Sequence, residues 1–186
     1  VFNADEVAVL EKLRSIAPRE AYAVSWWDYG YPLRYYSDVK TLIDGGKHGG
    51  SDNFTVSYML TNPSDVAAKM ARLDVEYTQK GIALSKRIKE GTEKNITIFS
   101  NIEQMSKDYG FGDTNDFLLS LQTDTKLPKP TADVYYYLPM RMLEIFPTVE
   151  KFSALDLMNG DTKNPSLFFV SRNFSQKENI VNLGDG

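Results

Sequence analysis

Apolar residues recur three or four positions apart through residues 4–17, the spacing that places them on one face of a helix. Asn3 and Glu6 stand three positions apart at the start of this pattern, where they match a capping box, and Pro18 follows its end. We therefore predict an amphipathic helix over residues 4–17.

A short strand and a glycine-rich segment follow this helix. Residues 21–25 form a β-prone run, which predicts a buried strand that leads to Trp26. Asp, Gly and Pro interrupt any period within residues 28–32, so we expect a loop there. A second strand-like run at residues 41–43 enters residues 44–53, where four glycines give the backbone unusual freedom. We interpret this glycine-rich segment as a functional or tightly turned loop.

The later pattern predicts mainly helices. Ser64 precedes apolar residues at helical spacing and is expected to cap a helix. Ser100 and Glu103 match a second capping box, and Gly110 is expected to end that helix. Residues 113–121 and residues 139–146 also have a helical pattern. Between them, residues 133–138 have the pattern of a strand.

Helical segments outnumber strands, so we predict a mixed α/β fold: a predominantly helical domain with a few short strands. After about residue 159 the pattern changes to Asn, Gly, Lys and Pro turns around one apolar run at residues 166–171. We expect a domain over residues 1–158 and the beginning of a truncated β-rich insertion or subdomain over residues 159–186.

Composition narrows the classes of partner. The net charge of -4 and the lack of a Lys and Arg run offer no field for a polyanion, so nucleic acid is not expected as a partner. The absence of cysteine rules out disulfides and thiolate ligands, and fits either a reducing compartment or a periplasm. No apolar stretch approaches the roughly 20 residues of a membrane helix. We expect a soluble chain, and its start at Val1 indicates a fragment of a larger parent.

The glycine-rich segment does not predict a metal or nucleotide site. His48 is the only histidine and has no carboxylate cluster beside it in the sequence, so we interpret it as structural. Residues 45–50 lack the Gly-X-X-X-X-Gly-Lys-Ser/Thr order of a phosphate-binding loop.

The densest group of chemistry-bearing residues is Trp26-Trp27-Asp28-Tyr29-Gly30, which holds both tryptophans of the chain. Two indole N–H donors and one carboxylate acceptor would saturate a hydroxyl group, if the chain turns so that they converge. The alternative is that both tryptophans are core residues and that Asp28 opens a turn. Residue types alone favour this alternative, because aromatic side chains are more often packing than recognition.

This motif and the residues around it resemble the signature of oligosaccharyltransferase catalytic subunits, of the bacterial PglB type. The resemblance covers most of residues 3–150, apart from the stretch between 80 and 112. After the motif, the residues that are similar to this family are 31–36, 37–48, 70–73, 75–78 and 137–142.

The resemblance implies a membrane enzyme that transfers a lipid-linked oligosaccharide to the Asn amide of an Asn-X-Ser/Thr acceptor polypeptide. It assigns Trp26, Trp27 and Asp28 to hydrogen bonds with the Ser or Thr hydroxyl. It places a divalent metal, Mg or Mn, and its acidic ligands in a transmembrane domain outside this chain. We therefore expect no cofactor and no catalytic residue here, and a location at the periplasmic face of the bacterial inner membrane.

A second family element is Met-X-X-Ile, which Met142-Leu143-Glu144-Ile145 matches. The resemblance places Ile145 against the methyl group of an acceptor Thr, and Met142 one helical turn away on the same face. Spacing alone favours the alternative, that both residues are ordinary core.

Three Asn-X-Ser/Thr sequences begin at Asn53, Asn95 and Asn173. Bacterial members of the family commonly also require Asp or Glu two residues earlier, and only Asn95 has one, Glu93. Asn95 is therefore the single candidate for self-glycosylation.

Two other functions are open to a Trp- and Tyr-rich chain. A carbohydrate-binding module would stack exposed aromatic rings on sugars and bond the hydroxyls through Asp and Arg. A glycosidase would need two carboxylates at a defined separation, and the sequence offers no such pair.

Overall fold

The computed structural model describes residues 2–92, 100–162, 175–177 and 180–182. Helix predominates in this part of the chain, which confirms the predicted mixed α/β fold. The elements are α1 (Ala4–Ile16), β1 (Tyr22–Val24), α2 (Gly30–Ser37), β2 (Lys40–Thr41), α3 (Gly50–Thr61), α4 (Ser64–Lys89), α5 (Asn101–Asp108), α6 (Thr114–Ser120), β3 (Val134–Tyr136), α7 (Phe146–Ser153), β4 (Ser175–Lys177) and β5 (Ile180–Asn182), with 3₁₀ turns at Trp27–Tyr29 and Met140–Glu144.

A small parallel sheet lies at the centre of the fold, with the strand order β2-β1-β3. Tyr22 pairs with Lys40 on one side and with Val134 on the other. All three residues of β1 are buried, as expected for a central strand that is covered on both faces. Because the strands are parallel, the segments that leave their carboxyl ends start at the same edge of the sheet.

The two predicted capping boxes are confirmed. The Asn3 side chain accepts a hydrogen bond from the Glu6 N–H, and the Asn3 N–H donates to Glu6 Oε2, both at 2.9 Å. Ser100 and Glu103 start α5 in the same reciprocal way. Gly110 follows α5 with a φ of 79°, the left-handed conformation that favours glycine at a helix end.

The loop predicted for residues 28–32 is wrong. The chain forms the 3₁₀ turn Trp27–Tyr29 and continues directly into α2. Pro32 is tolerated because it lies in the first turn of α2, where a backbone N–H has no partner within the helix.

The glycine-rich segment divides into a turn and a helix. Asp44 and Lys47 form a tight turn, closed by two backbone hydrogen bonds of 2.9 and 3.0 Å. The prediction of a loop to residue 53 is wrong beyond Gly49, because α3 begins at Gly50. At α4, the capping position is Pro63, and Ser64 is the first helical residue.

The helix predicted for residues 139–146 is also wrong. Met140–Glu144 form a 3₁₀ turn, and a separate helix, α7, begins at Phe146. Pro147 explains the break, since it has no N–H to donate to the preceding turn but fits the first turn of a new helix.

Helix α7 is fixed against α3 by a buried serine. Ser57 Oγ donates to the Val149 carbonyl at 2.5 Å and accepts from the Ser153 N–H at 3.0 Å. This contact holds α7 beside the sheet edge.

Strands β4 and β5 pair with each other in antiparallel orientation. The apolar run at residues 166–171 lies outside the described residues, and the division of the chain near residue 159 stays a prediction. None of the described helices is long and apolar enough to cross a membrane.

Candidate functional site

Three segments leave the carboxyl ends of the parallel strands and meet at one edge of the sheet. Residues 25–30 follow β1, residues 42–48 follow β2 and residues 137–145 follow β3. The chain passes from the central strand β1 to one neighbour and later returns to the other. The edge beyond β1 is therefore a topological switch point, where α/β folds form their ligand crevices. We call this edge the motif site.

Trp26 is the buried anchor of the motif site. Its side chain is only 3% exposed, and its ring packs on Phe152 of α7, with centroids 5.3 Å apart and planes inclined by 52°. Since Ser57 ties α7 to α3, the Trp26 indole rests on a fixed surface.

Trp27 points to a different neighbour. Its ring stacks on His48, with centroids 4.8 Å apart and an angle of 22° between the planes. The Trp27 side chain is half-buried, so part of it reaches solvent. The 3₁₀ turn that begins at Trp27 directs the two adjacent indoles to different supports.

Asp28 follows both tryptophans on the 3₁₀ turn and is exposed. Its carboxylate makes no hydrogen bond or ion pair with the part of the chain that the structure describes. Neither indole N–H of Trp26 and Trp27 donates to a described residue either. The motif therefore presents one acceptor group and two donor groups that are not used within the described fold.

Tyr29 and Gly30, the last two residues of the motif, pack against neighbouring segments. The Tyr29 ring contacts Tyr137 edge-on, with centroids 5.8 Å apart, and the Arg141 guanidinium lies 6.0 Å from its centre. Burial raises the pKa of Tyr29.

A Cβ on Gly30 would lie 2.4 Å from the Asp44 Cβ and 2.7 Å from the Ile43 carbonyl oxygen. Only glycine allows this close approach of α2 to the segment after β2.

Asp44 organises the tight turn. Its carboxylate accepts hydrogen bonds from Arg34 at 2.7 Å, from the Gly46 N–H at 2.8 Å and from the Lys47 N–H at 2.9 Å. Burial acts to raise the pKa of Asp44, but these bonds and the Arg34 charge outweigh it and hold the pKa below its usual value. The Tyr31 ring covers the turn, 2.7 Å from where a Gly45 Cβ would be.

The Met-X-X-Ile residues differ in burial. Met142 is 3% exposed and belongs to the hydrophobic core, whereas Ile145 is half-buried and packs against the core from its margin. The Ile145 N–H donates to the Met142 carbonyl at 3.1 Å, which closes the 3₁₀ turn. Their contact with an acceptor stays a prediction.

The candidate glycosylation sites fall in two classes. Asn95 and Asn173 lie outside the described residues. Asn53 is 5% exposed in α3, and its Nδ2 donates to the His48 carbonyl at 2.9 Å. Its amide is therefore withheld from any modifying enzyme in the folded chain.

The described residues contain no group of three or more His, Cys, Asp or Glu side chains that could hold a metal ion. They accordingly offer no donor set for the divalent metal that the resemblance implies.

The sequence analysis interpreted His48 as structural but did not predict its contact with Trp27, and it did not predict the support that Phe152 gives to Trp26. Phe152 gave no signal, because it is distant in sequence and falls in a helix that the pattern did not predict. The position of His48 could have been inferred, because it follows the second of two predicted strands, and the carboxyl ends of parallel strands share one edge of a sheet.

Comparison with known proteins places this site in a family. A model described as the STT3/PglB/AglB core domain matches residues 19–159. The chain is 43% identical over 188 residues to an undecaprenyl-diphosphooligosaccharide–protein glycotransferase of Campylobacter jejuni, and the match covers 100% of this chain and 25% of that protein. It is 33% identical over 66 residues to the stt3 subunit of a Schizosaccharomyces pombe dolichyl-diphosphooligosaccharide–protein glycosyltransferase, covering 35% of this chain and 9% of the subunit.

Among solved structures, the crystal structure of the C. jejuni PglB C-terminal domain matches with a TM-score of 0.70 and 43% identity, over 90% of this chain and 54% of that one. The chain thus spans about a quarter of the length of its curated C. jejuni relative. The family model covers most of the chain and includes every residue of the motif site described above. The chain belongs to the STT3/PglB/AglB core domain family.

Proposed function

We propose that this chain is the acceptor-recognition part of a membrane oligosaccharyltransferase that transfers a lipid-linked oligosaccharide to Asn in Asn-X-Ser/Thr. One observation carries the proposal: Asp28 is exposed without a partner among the described residues, and it directly follows two tryptophans whose rings are held by other elements. The family supports the same reaction class, since its C. jejuni member is named a glycotransferase.

The chemistry of recognition follows from a hydroxyl group's bonding capacity. The acceptor Ser or Thr O–H donates to the Asp28 carboxylate, and its oxygen accepts from the indole N–H groups of Trp26 and Trp27. The Asp28 bond is the strongest of the three, because its acceptor is charged. Ile145 completes the pocket by packing on the methyl group of a Thr, with Met142 supporting it from the core.

Bond formation belongs to the rest of the protein. The proposal places the divalent metal, Mg or Mn, its acidic ligands and the lipid-linked donor in a transmembrane domain, with this domain on the periplasmic face of the bacterial inner membrane. No residue of this chain acts as a catalyst, and the chain by itself transfers no sugar.

The two sugar-related alternatives separate in a titration. Both tryptophans lie in the motif, so all indole fluorescence reports on this site. The 3% exposure of Trp26 and the His48 ring on Trp27 disfavour a carbohydrate-binding module, which needs open aromatic faces. An Asn-X-Thr peptide should change the fluorescence of the chain, whereas free glycan should not. The reverse result supports the module.

Removal of the Asp28 carboxylate tests the proposal directly. In the full-length protein, Asp28→Ala should lower peptide glycosylation by about 10- to 100-fold, since it removes a charge-assisted hydrogen bond of about 1.5–3 kcal/mol. Asp116→Ala, which removes an exposed carboxylate on α6, is the matched control and should leave turnover unchanged. Near-normal turnover by folded Asp28→Ala protein sinks the assignment.

Asn95 is proposed as a self-glycosylation site on its sequence alone. Intact-mass analysis of the full-length protein, co-expressed with a glycan donor, should show one added glycan that Asn95→Gln removes. Glycan on Asn53 or Asn173 instead contradicts this assignment.

A further inference from the structure

His48 is the one aromatic side chain that the tight turn places on the motif. Its imidazole covers one face of the Trp27 indole, almost parallel to it. Trp27 is the less buried of the two motif tryptophans, so it depends more on its neighbours for a fixed orientation. A flat ring at this distance restricts rotation about the side-chain bonds of Trp27 and so fixes the direction of its N–H.

His48 is itself held on both sides. Its Nδ1 lies 3.1 Å from the Asp44 carbonyl oxygen. Because a carbonyl can only accept, Nδ1 carries the hydrogen and donates it. The His48 carbonyl accepts from Asn53 of α3 at 2.9 Å. The ring is therefore anchored to the tight turn, and its backbone is anchored to a buried helix.

The tight turn has its own supports, which explains why it can hold a ring in place. Two backbone hydrogen bonds close it, and the Asp44 carboxylate binds two N–H groups and Arg34. The Gly30 backbone packs directly on Asp44. The motif and the turn thus touch twice, once through Gly30 and once through the stacked rings.

We propose that His48 is a positioning residue for acceptor recognition: its imidazole holds the Trp27 indole so that Nε1–H points to the acceptor hydroxyl. This proposal rests on the proposed function of the motif site. His48 does not touch the acceptor, and it acts only through Trp27.

The test measures KM for an Asn-X-Thr peptide and kcat in the full-length protein. His48→Ala should raise KM by about 3- to 10-fold, the range expected when an aromatic contact is lost. The kcat should change less than twofold. His48→Phe, which restores a flat ring, should return KM to within about twofold of the original. Tyr35→Ala is the matched control and should leave KM unchanged, since it removes an exposed ring of α2 that meets Tyr36 outside the motif site.

A double substitution separates positioning from a general effect on the fold. In a Trp27→Ala background, His48→Ala should raise KM no further, because the ring that it positions is gone. An equal rise in both backgrounds overturns the proposal, as does a His48→Phe protein no better than His48→Ala.

Failure of the proposed function gives a different result. If Trp27→Ala leaves KM unchanged, the motif site does not bind the acceptor, and the role of His48 falls with it. If Trp27→Ala raises KM and His48→Ala does not, the proposed function stands and only the His48 proposal is wrong.

Discussion

Residues 26–30 and residues 142–145 leave the same edge of the sheet, yet they are held in different ways. In the first segment, neighbouring residues contact different elements: Trp26 packs on α7, Trp27 on His48 and Gly30 on Asp44. In the second, a single 3₁₀ turn places Met142 in the core and Ile145 at its margin. Each segment therefore combines residues that stabilise the fold with one that is available for recognition.

This difference predicts two kinds of substitution effect, one on stability and one on acceptor recognition. Buried members of both segments should change the free energy of unfolding, whereas Asp28 and Ile145 should change acceptor use.

Met142→Ala should have the largest effect on stability. Truncation of a buried Met costs about 2–5 kcal/mol, through lost transfer free energy and the cavity left behind. Urea unfolding of the chain measures this difference. Met140→Ala, two residues away and 80% exposed, is the control and should change stability by less than about 0.5 kcal/mol. Equal effects at both positions contradict the division of this turn into core and surface.

Gly30→Ala should destabilise the chain by about 1–3 kcal/mol, because the added Cβ meets backbone atoms that no side-chain rotation can move away. The matched control is Gly81→Ala in α4, where a Cβ meets nothing within 4 Å. That change should stabilise the helix by about 0.5–1 kcal/mol. A harmless Gly30→Ala substitution shows that the motif and the tight turn are not in close contact.

Asp44→Asn should lower stability at neutral pH by about 1–2 kcal/mol, because the amide has no charge and has only one oxygen to accept hydrogen bonds, so the Gly46 and Lys47 N–H groups and Arg34 cannot all keep their bonds. The pKa of Asp44 in the folded chain lies below its value in the unfolded chain, which is about 3.8. Its stabilisation is therefore fully present above the unfolded pKa and is lost as pH falls through the folded pKa. Unfolding measured between neutral pH and about pH 2 should show less acid dependence in Asp44→Asn than in the original chain. If the variant and the original chain show the same acid dependence, the Asp44 carboxylate does not stabilise the turn.

Ile145→Ala should have the smallest effect. One buried methyl group is worth about 0.8 kcal/mol, so the preference for Thr over Ser acceptors should shrink by a few-fold. Glycosylation rates of paired Asn-X-Thr and Asn-X-Ser peptides, compared in the full-length protein, give this ratio. Leu143→Ala, in the same turn and 39% exposed, should leave the ratio unchanged. A ratio that does not move assigns Ile145 to the core together with Met142.

The sequence predicted correctly those elements that depend on residues close together in the chain. The capping boxes at Asn3 and Ser100 and the helix end at Gly110 are confirmed, because each depends on residues a few positions apart. The central strands were found for the same reason, since short β-prone runs mark them. Where prolines stood, local rules failed. Pro32 begins α2 instead of preventing it, and Pro147 divides a predicted helix into a 3₁₀ turn and α7.

The sequence by itself determined the family and the composition of the motif. Only the tertiary structure decided which motif residue is exposed and which is buried. Trp26 and Trp27 are adjacent and identical in type, yet Trp26 is buried against α7 and Trp27 is half-buried and stacks on His48. That difference comes from parallel strand pairing, which brings together segments far apart in the chain. Burial depends on such distant neighbours, and no local pattern contains them.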